Sequence, residues 1–359
     1  MVIRPSEGGA FGHVVSLARG LAEHGHEVAL CGPHGAHGDL GVELLELDIQ
    51  RPLSLPSDVG SIRALRRILR EYAPDLIHAH GSKGGVMARV ARRAGDGAPL
   101  VFTPHGYAFA GHFSRRSERL AYRLIERALS PLASRVICVC QAEARLAASV
   151  GSRKRIRVVY NGIDAPPGVA SDPTIAALPG PVISAVTGLR PGKGDETLVE
   201  AFASFVESGR AGTLVIAGDG PEREPITRMI EAAGIAARVK LPGNVPDVFT
   251  LLAASDLFVL PSWAESFPYS VIEAMSVGLP IIATDVGGIG EAIENWITGR
   301  LVAPRDARGL SAALADLHDE RNLATRLGEA ARERAQARFS LSRMVADTLA
   351  VYRELGVRA

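Results

Sequence analysis

Two acids stand eight residues apart in "ESFPYSVIEAMSVGLP", Glu265 and Glu273, with Pro268 between them. Proline has no N–H to give and breaks a helix run through it, so the pattern predicts Glu265 on a loop and Glu273 in the first turn of the helix that follows. Two chemistries suit that arrangement. Ser270-x-x-Glu273 is a capping box, in which the serine caps the helix and the glutamate reaches back to the cap's own N–H. Alternatively, the unpaired N–H groups and the macrodipole of the helix start make an anion site. A phosphate would then sit there, with one glutamate on a neighbouring hydroxyl and the other across a cleft. Both readings can hold at once.

Cations to match stand in "TGLRPGKGDE", which puts Arg190 and Lys193 on one loop. The stretch lacks the Gly-Lys-Ser or Gly-Lys-Thr of a P-loop, which excludes that ATPase class. Two such cations either neutralise a diphosphate without a metal or remain a solvated surface pair. "AGDGPER" and "LPGNVPD" place Gly218 and Gly243 at strand ends, where bare backbone can pass close to a base or ribose. In the first half Gly8 and Gly9 precede a helix, as a ligand-facing backbone or a plain tight turn. His105 and Gly106 follow a strand in "FTPHGYAF", a place from which an imidazole can donate to a sugar hydroxyl or move a proton. His78 and His80 in "LIHAH" share a strand face; with no third ligand nearby in sequence, no metal is expected. Lys83, in "HGSKGG", stands at a strand-to-helix turn and could hold an acceptor phosphate.

The elements that must position these groups are legible as alternation. Apolar runs at 27–31, 75–80, 100–103, 135–139 and 156–160 read as strands. Between them lie helical stretches such as 13–25, whose Val14, Leu17, Ala18 and Leu21 form an apolar stripe ending at Gly25. This is the βαβ signature of a parallel, doubly wound sheet. Residues 161–181, rich in Pro and Gly, break the pattern as an interdomain connection would. It restarts with strands at 182–188, 213–218, 238–243, 256–261 and 280–285. The expected fold is α/β: two Rossmann-like doubly wound parallel-sheet domains, 1–165 and 166–341, facing a central cleft where ligands of open sheets bind. The C-terminal helix, 342–359, is expected to cross back to the first domain. Only "MVIR" precedes the first turn, so the first strand reads as short or clipped.

Totals narrow the function classes. With 359 residues, 47 % apolar, and a net charge of +1, the chain affords two cores and offers nucleic acid no bulk attraction. No apolar run is long enough to span a membrane and no charged-then-apolar leader is visible, so the expected location is cytoplasmic. Cys31, Cys138 and Cys140 read as reduced core residues, the last two alternating on one strand.

With these residues in view, the segment "ESFPYSVIEAMSVGLPIIATDVGGIGE" resembles the E-x7-E segment of retaining glycosyltransferases of family 4, group 1, which have the GT-B fold and use a nucleotide-activated sugar. "GGAFGHVVSLARGLAEHGHEV", "PDLIHAHGSKGGVMARVARR", "VFTPHGYAF", "VVYNGID", "KGDETLVEAF" and "VIAGDGPER" look like its other landmarks, so the resemblance covers nearly the whole chain. It implies a hexosyl- or N-acetylhexosaminyl-transferase with no cofactor and no metal, the nucleotide-sugar being a co-substrate, UDP-linked before GDP-linked. By resemblance Glu273 would bind the ribose hydroxyls and Glu265 the donor sugar. The backbone N–H groups of Ser270 and Val271 would meet the diphosphate, with Phe267 on the same donor-side segment. Lys193 would offset the leaving diphosphate and His105 would face the reacting sugar. The family reads G-R-L-x-x-x-K-G where this chain has "TGLRPGKG"; Gly188 replaces the usual Arg, and Arg190 would have to supply the charge. Retention without an evident nucleophilic carboxylate implies front-face attack by the acceptor hydroxyl, and replacing His105 or Lys193 singly is expected to slow the chemistry with the fold intact. Two rival readings share the architecture: a sugar-nucleotide epimerase, and a non-catalytic nucleotide-binding member.

Residues 112–135 hold six Arg against two Glu. Read as one helical stretch, they form either a solvated basic face or a contact with anionic lipid head groups, which would suit an acceptor carried on a polyprenyl diphosphate in bacterial surface-polysaccharide assembly.

Overall fold

The computed structural model describes residues 1–4, 8–33, 40–50, 55–92, 97–110 and 116–357. Pro5, Ser6 and Glu7 of the turn expected after the first strand lie outside the described residues, as do 112–115 of the basic segment and the last two residues of the C-terminal helix. The chain divides into two compact units, Met1–Gly162 with Leu341–Ala359, and Ile163–Ser340.

Among the described residues the first unit is built on seven strands: β1 (Val2–Ile3), β2 (Ala29–Gly32), β3 (Glu43–Glu46), β4 (Ile77–His80), β5 (Leu100–Thr103), β6 (Arg135–Cys138) and β7 (Ile156–Val158). Every pairing is parallel, in the order β3-β2-β1-β4-β5-β6-β7. Successive strand residues feed two cores, as a sheet covered on both faces requires. Phe102 and Cys138 join Leu65, Met87 and Ala88 on one face. Val101 and Ile137 join Leu17, Leu21, Met344 and Leu349 on the other. The helix Leu341–Arg353 therefore packs on the helix Gly9–Glu23; a Cβ at Gly20 would stand 2.5 Å from Val345 Cγ2, so the close approach requires glycine there.

The second unit has six strands: β8 (Val182–Val186), β9 (Thr213–Ala217), β10 (Val239–Gly243), β11 (Leu257–Leu260), β12 (Ile281–Thr284) and β13 (Arg300–Val302). All pairs are again parallel, ordered β10-β9-β8-β11-β12-β13. Ile183, Ala185, Leu214 and Ile216 point to a core shared with the helices Asp195–Glu207 and Ala307–Asp319, while Val182, Val215 and Ala217 point to the opposite face.

β3 and β13 carry no strand signal in the sequence. β3 reads Glu-Leu-Leu-Glu with both acids exposed, and both strands close a sheet edge, where charge is what keeps an edge from pairing with another chain. Two further expectations are corrected. Cys140 is not on the strand with Cys138: β6 ends at Cys138 and Cys140 caps the helix Gln141–Ala148, its sulfur accepting from the Glu143 N–H at 3.3 Å. The basic segment is not one helix to residue 135, because the helix Arg116–Leu129 ends before a 3₁₀ turn over Ser130–Leu132 and Arg135 begins β6.

Each sheet has a switch point where the strand order turns back, between β1 and β4 in the first unit and between β8 and β11 in the second. Loops leaving the carboxyl ends of those strands diverge and open a crevice. The loop after β8 carries Arg190 and Lys193, and the loop after β11 carries Glu265.

Candidate functional site

In the second unit, the loops after β8 and β11 are stitched together by backbone. Trp263 N donates to Gly192 O at 2.8 Å, and the Trp263 indole donates to Thr197 Oγ1 at 3.3 Å. Gly194 precedes the helix Asp195–Glu207 at φ 74°, and a Cβ there would lie 2.1 Å from Pro261 O. No L side chain fits that contact, so the glycine is what lets the two loops touch. Across the seam Lys193 Nζ meets Glu265 Oε1 at 2.6 Å, and Ser262 Oγ donates to the same oxygen at 2.8 Å. The lysine side chain is 32 % exposed and the glutamate 13 %. The cation and the carboxylate that the sequence assigns to different parts of a donor are thus each other's partners here.

A third loop, after β12, holds Glu265 from behind. Gly288 N donates to Ser266 O at 2.7 Å, and a Cβ at Gly287 would fall 1.7 Å from Glu265 O. Ser262 and Gly287 belong to the site and were missed by the sequence reading. The only local signal was the Gly287-Gly288 pair following a strand.

Glu273 lies in the helix Tyr269–Val277, but not where the sequence placed it. Pro268 occupies the N-cap with extended backbone, no side chain caps the helix, and Ser270 is its second residue. The capping box does not form, and Glu273 falls in the second turn rather than the first. The reason is that proline's fixed φ suits the boundary itself and moves the cap two residues ahead of the serine. Without a side-chain cap, the amides of Ser270 and Val271 stand in a first turn whose N–H groups have no partner along the helix. Burial, then the charge of Asp247, pushes the Glu273 carboxyl up to about 7. Phe267 buries its ring against Phe339, 5.1 Å between centroids, so only its backbone is offered to the loop.

Gly218 and Gly243 close the same end of the sheet. Gly218 N donates to Gly243 O at 2.7 Å, and a Cβ at Gly218 would stand 1.7 Å from Thr187 O. Arg190 is exposed and folds over Gly188, its Nε 3.7 Å from where a Cβ of residue 188 would be. Its charge therefore occupies the space beside the position at which the resemblance expects an arginine. Beside them the buried Asp195 bonds Thr187 Oγ1 at 3.3 Å, and burial raises its carboxyl to about 7 against that hydrogen bond. A cavity of about 430 Å³ lined by Pro181, Asp256 and Pro280 lies at the opposite, amino end of these strands and belongs to none of this.

In the first unit the switch-point loops gather imidazoles. His13 and His80 are buried, and His105 is partly so. His80 Nδ1 lies 3.1 Å from His105 Nε2, and the His13 and His105 rings meet edge to face at 4.6 Å. His78, on the same strand face as His80, is satisfied elsewhere: Nδ1 contacts the Tyr352 hydroxyl at 2.6 Å and Nε2 contacts Thr103 Oγ1 at 2.8 Å. Burial holds His13 down to about 4 and, with the charge of neighbouring imidazoles, holds His78, His80 and His105 well below the usual histidine range. All four are neutral at pH 7. His105 sits at φ 52°, a left-handed conformation that favours glycine, and the buried Glu143 secures it. One carboxylate oxygen accepts from Gly106 N at 2.5 Å and the other from Val139 N at 2.8 Å. Gly9 opens the helix Gly9–Glu23 behind Gly8, at φ 102° with no side-chain cap. Lys83 is already engaged, by Asp58 at 2.8 Å and by Gln50 O at 2.6 Å.

Comparison with known proteins gives this geometry a family. Residues 7–165 match the model "Glycosyltransferase Family 4" and residues 175–334 match "Glycosyl transferases group 1". The chain is 28 % identical over 286 residues to the UDP-Gal:alpha-D-GlcNAc-diphosphoundecaprenol alpha-1,3-galactosyltransferase of Escherichia coli, covering 76 % of this chain and 74 % of that one. It is 28 % identical over 319 residues to the alpha-D-kanosaminyltransferase of Streptomyces kanamyceticus, covering 82 % and 81 %. In fold it is similar to the sucrose-phosphate synthase of Thermosynechococcus elongatus, with a TM-score of 0.85 at 24 % identity over 99 % of this chain and 95 % of that one. Anabaena HepE in complex with UDP and glucose gives 0.81 at 22 % over 98 % and 97 %. Two parallel-sheet Rossmann-like units of this order are the GT-B fold. With consecutive family models spanning both units, the chain belongs to the family 4, group 1 glycosyltransferases and is a glycosyltransferase.

Proposed function

We propose that this enzyme transfers a hexose or N-acetylhexosamine, with retention of configuration, from a UDP-sugar to a lipid-linked glycan acceptor. The observation that carries the reading is the joined Lys193–Glu265 pair beside an uncapped helix start, with Glu273 one turn inside it. The diphosphate takes the Ser270 and Val271 amides, Glu273 takes the ribose hydroxyls, and Glu265 takes the sugar. Arg190 and Lys193 meet the charge that grows on the leaving group, which favours the transition state over the ground state. The bond from the anomeric carbon to the phosphate oxygen breaks as the acceptor oxygen attacks from the same face, and the hydroxyl proton passes to the departing phosphate. No metal enters these steps. His105 serves the acceptor side in the first unit.

Calorimetry with UDP, GDP and ADP, and with UDP-N-acetylglucosamine and GDP-mannose, tests the donor site. UDP ligands are expected to bind, and Glu273→Ala to weaken them by about 10- to 100-fold, the value of a hydrogen bond or two to a charged group. Because the ionised carboxylate is the better acceptor, wild-type affinity should rise as pH passes upward through about 7 and then level off, and Glu273→Gln should flatten that rise. The sign for stability is opposite: a carboxyl raised from 4.5 to about 7 favours the protonated fold, so ionising it erodes stability as pH rises across that interval. Binding of no nucleotide at any pH would remove the donor-site reading and favour a non-catalytic member.

The acceptor assignment rests on the helix Arg116–Leu129. Leu120, Leu124 and Ile125 are 58 %, 56 % and 41 % exposed, and Arg116, Arg119, Arg123 and Arg127 flank them. An apolar stripe beside a basic one suits the surface of an anionic bilayer, at about 1 kcal/mol per arginine near the head groups plus the buried leucines. No helix among the described residues is long and apolar enough to cross a membrane. The chain is expected to co-sediment with phosphatidylglycerol vesicles and not with phosphatidylcholine ones. A Leu120→Asp, Leu124→Asp double variant should stay in the supernatant, and its retention on the vesicles would end the membrane assignment.

A further inference from the structure

We infer that His80 fixes the tautomer of His105, donating from its Nδ1 to His105 Nε2 and so leaving His105 with its proton on Nδ1, as a hydrogen-bond donor for a substrate oxygen. His80 ends β4, and its register partner on β5 is Thr103. His105 follows two residues later with a left-handed backbone, φ 52°, and its Nε2 stands 3.1 Å from His80 Nδ1. In sequence the two rings are 25 residues apart, so only the sheet brings them together.

Which ring donates is decided by the far nitrogen of His80. Burial keeps both imidazoles neutral, so each carries one proton and their contact joins one N–H to one bare nitrogen. His80 Nε2 is fully buried and has no hydrogen-bond partner. A proton on that nitrogen would bury a donor without an acceptor, and orphaned N–H groups are rarer in folded proteins than orphaned acceptors. The proton therefore sits on Nδ1, where His105 accepts it, and the hydrogen bond at one nitrogen sets the state of the other. His78 offers Nε2 no relief: its ring lies 3.9 Å from that of His80, centroid to centroid, and both its nitrogens are taken by the Tyr352 and Thr103 hydroxyls.

With Nε2 occupied by His80, His105 has no free lone pair with which to take a proton, and among the described residues its Nδ1 has no hydrogen-bond partner. It is then a fixed donor to a hydroxyl or ring oxygen rather than a general base, in keeping with the acceptor's proton passing to the departing phosphate. His80 acts through His105 and is a positioning residue. The donor role rests on the proposed placement of His105 against substrate; the tautomer does not.

Long-range proton–nitrogen correlation spectra of the full chain, labelled with ¹⁵N-histidine and held near neutral pH, read the tautomers, because a ring N–H and a bare ring nitrogen resonate far apart. His80 and His105 are both expected with Nδ1 protonated and Nε2 bare, their signals assigned from His80→Asn and His105→Ala. A proton on His105 Nε2 in the wild type overturns the inference. His80→Leu fills the space without a donor and should lower kcat by about 10-fold or more, the worth of one hydrogen bond, with UDP affinity unchanged because the nucleotide is held in the second unit. His80→Asn, whose amide N–H can stand where Nδ1–H stood, should recover most of that loss. Circular dichroism checks that the variants fold; if His80→Leu does not, the wild-type spectrum and His80→Asn decide. Slow turnover in His105→Ala beside wild-type turnover in folded His80→Leu overturns the positioning role. Wild-type turnover in His105→Ala, with the expected spectrum, leaves the tautomer standing and ends the placement of His105 against substrate.

Discussion

Lys193→Ala is expected to lower turnover by about 100- to 1000-fold, the loss seen when one preorganised group aimed at developing negative charge is removed. The lysine sits on the loop after β8, and its ammonium is held at 2.6 Å by Glu265, itself fixed by Ser262 and by the close approach of Gly287. That support matters because a flexible ammonium must otherwise be ordered at the moment of reaction. Removing it leaves the Glu265 carboxylate without its paired cation, so on the proposed reading the variant loses a favourable charge and keeps an unfavourable one. The effect should fall on kcat more than on nucleotide affinity, since the charge it meets grows only as the bond to phosphate breaks. A Lys193→Ala, Glu265→Ala double variant should not be as slow as the sum of the two singles predicts, because the pair acts as one unit. Steady-state kinetics with the donor identified by calorimetry reads all three. Turnover equal to wild type in a folded Lys193→Ala protein would remove the leaving-group role.

Glu126→Ala should destabilise the first unit by about 3–5 kcal/mol, the range for leaving one member of a buried ion pair uncompensated. Arg89 binds Glu126 with both guanidinium ends, at 2.8 and 3.1 Å, donates to Gly85 O at 2.9 Å, and lies 4.1 Å over the Phe102 ring. Both side chains are almost wholly out of water. Glu126 is the one buried residue of the helix Arg116–Leu129, so this pair is its anchor to the sheet. The loss corresponds to a fall in the first unit's melting temperature of about 10 °C, at about 2–4 °C per kcal/mol for a unit of this size. Vesicle binding should weaken with it, because the apolar stripe would no longer be held out on a fixed helix. Replacing both partners by apolar residues, Arg89→Met with Glu126→Leu, should recover most of the stability, since the pair's own net worth is small. Calorimetric melting of the two variants separates these outcomes; a single variant as stable as wild type would show that the pair anchors nothing.

Much of this architecture was legible in the sequence. Ten of the strands announce themselves as short apolar runs, and the Pro and Gly clusters mark the breaks between βαβ units, because a local backbone preference needs no distant partner to show itself. The family landmarks were readable for the same reason. Local rules failed where two of them competed. Ser270 and Glu273 have the spacing of a capping box, yet Pro268 takes the cap and shifts the helix. β3 and β13 are strands only because a neighbouring strand pairs with them, and Glu-Leu-Leu-Glu has no reason to extend on its own. His13 lies four residues before Leu17 on the buried stripe of its helix, which could have marked it as buried but not as a neighbour of His80 and His105.

By itself, then, the sequence determined a tandem of parallel α/β units and the loops on which chemistry could be carried. Tertiary structure alone decided which groups meet. Lys193 and Glu265 are 72 residues apart and the three imidazoles are spread from 13 to 105, and each set is assembled where the strand order reverses, between β8 and β11 or between β1 and β4. Strand order is set by which faces bury together across the whole sheet, a global balance of packing that no local pattern records.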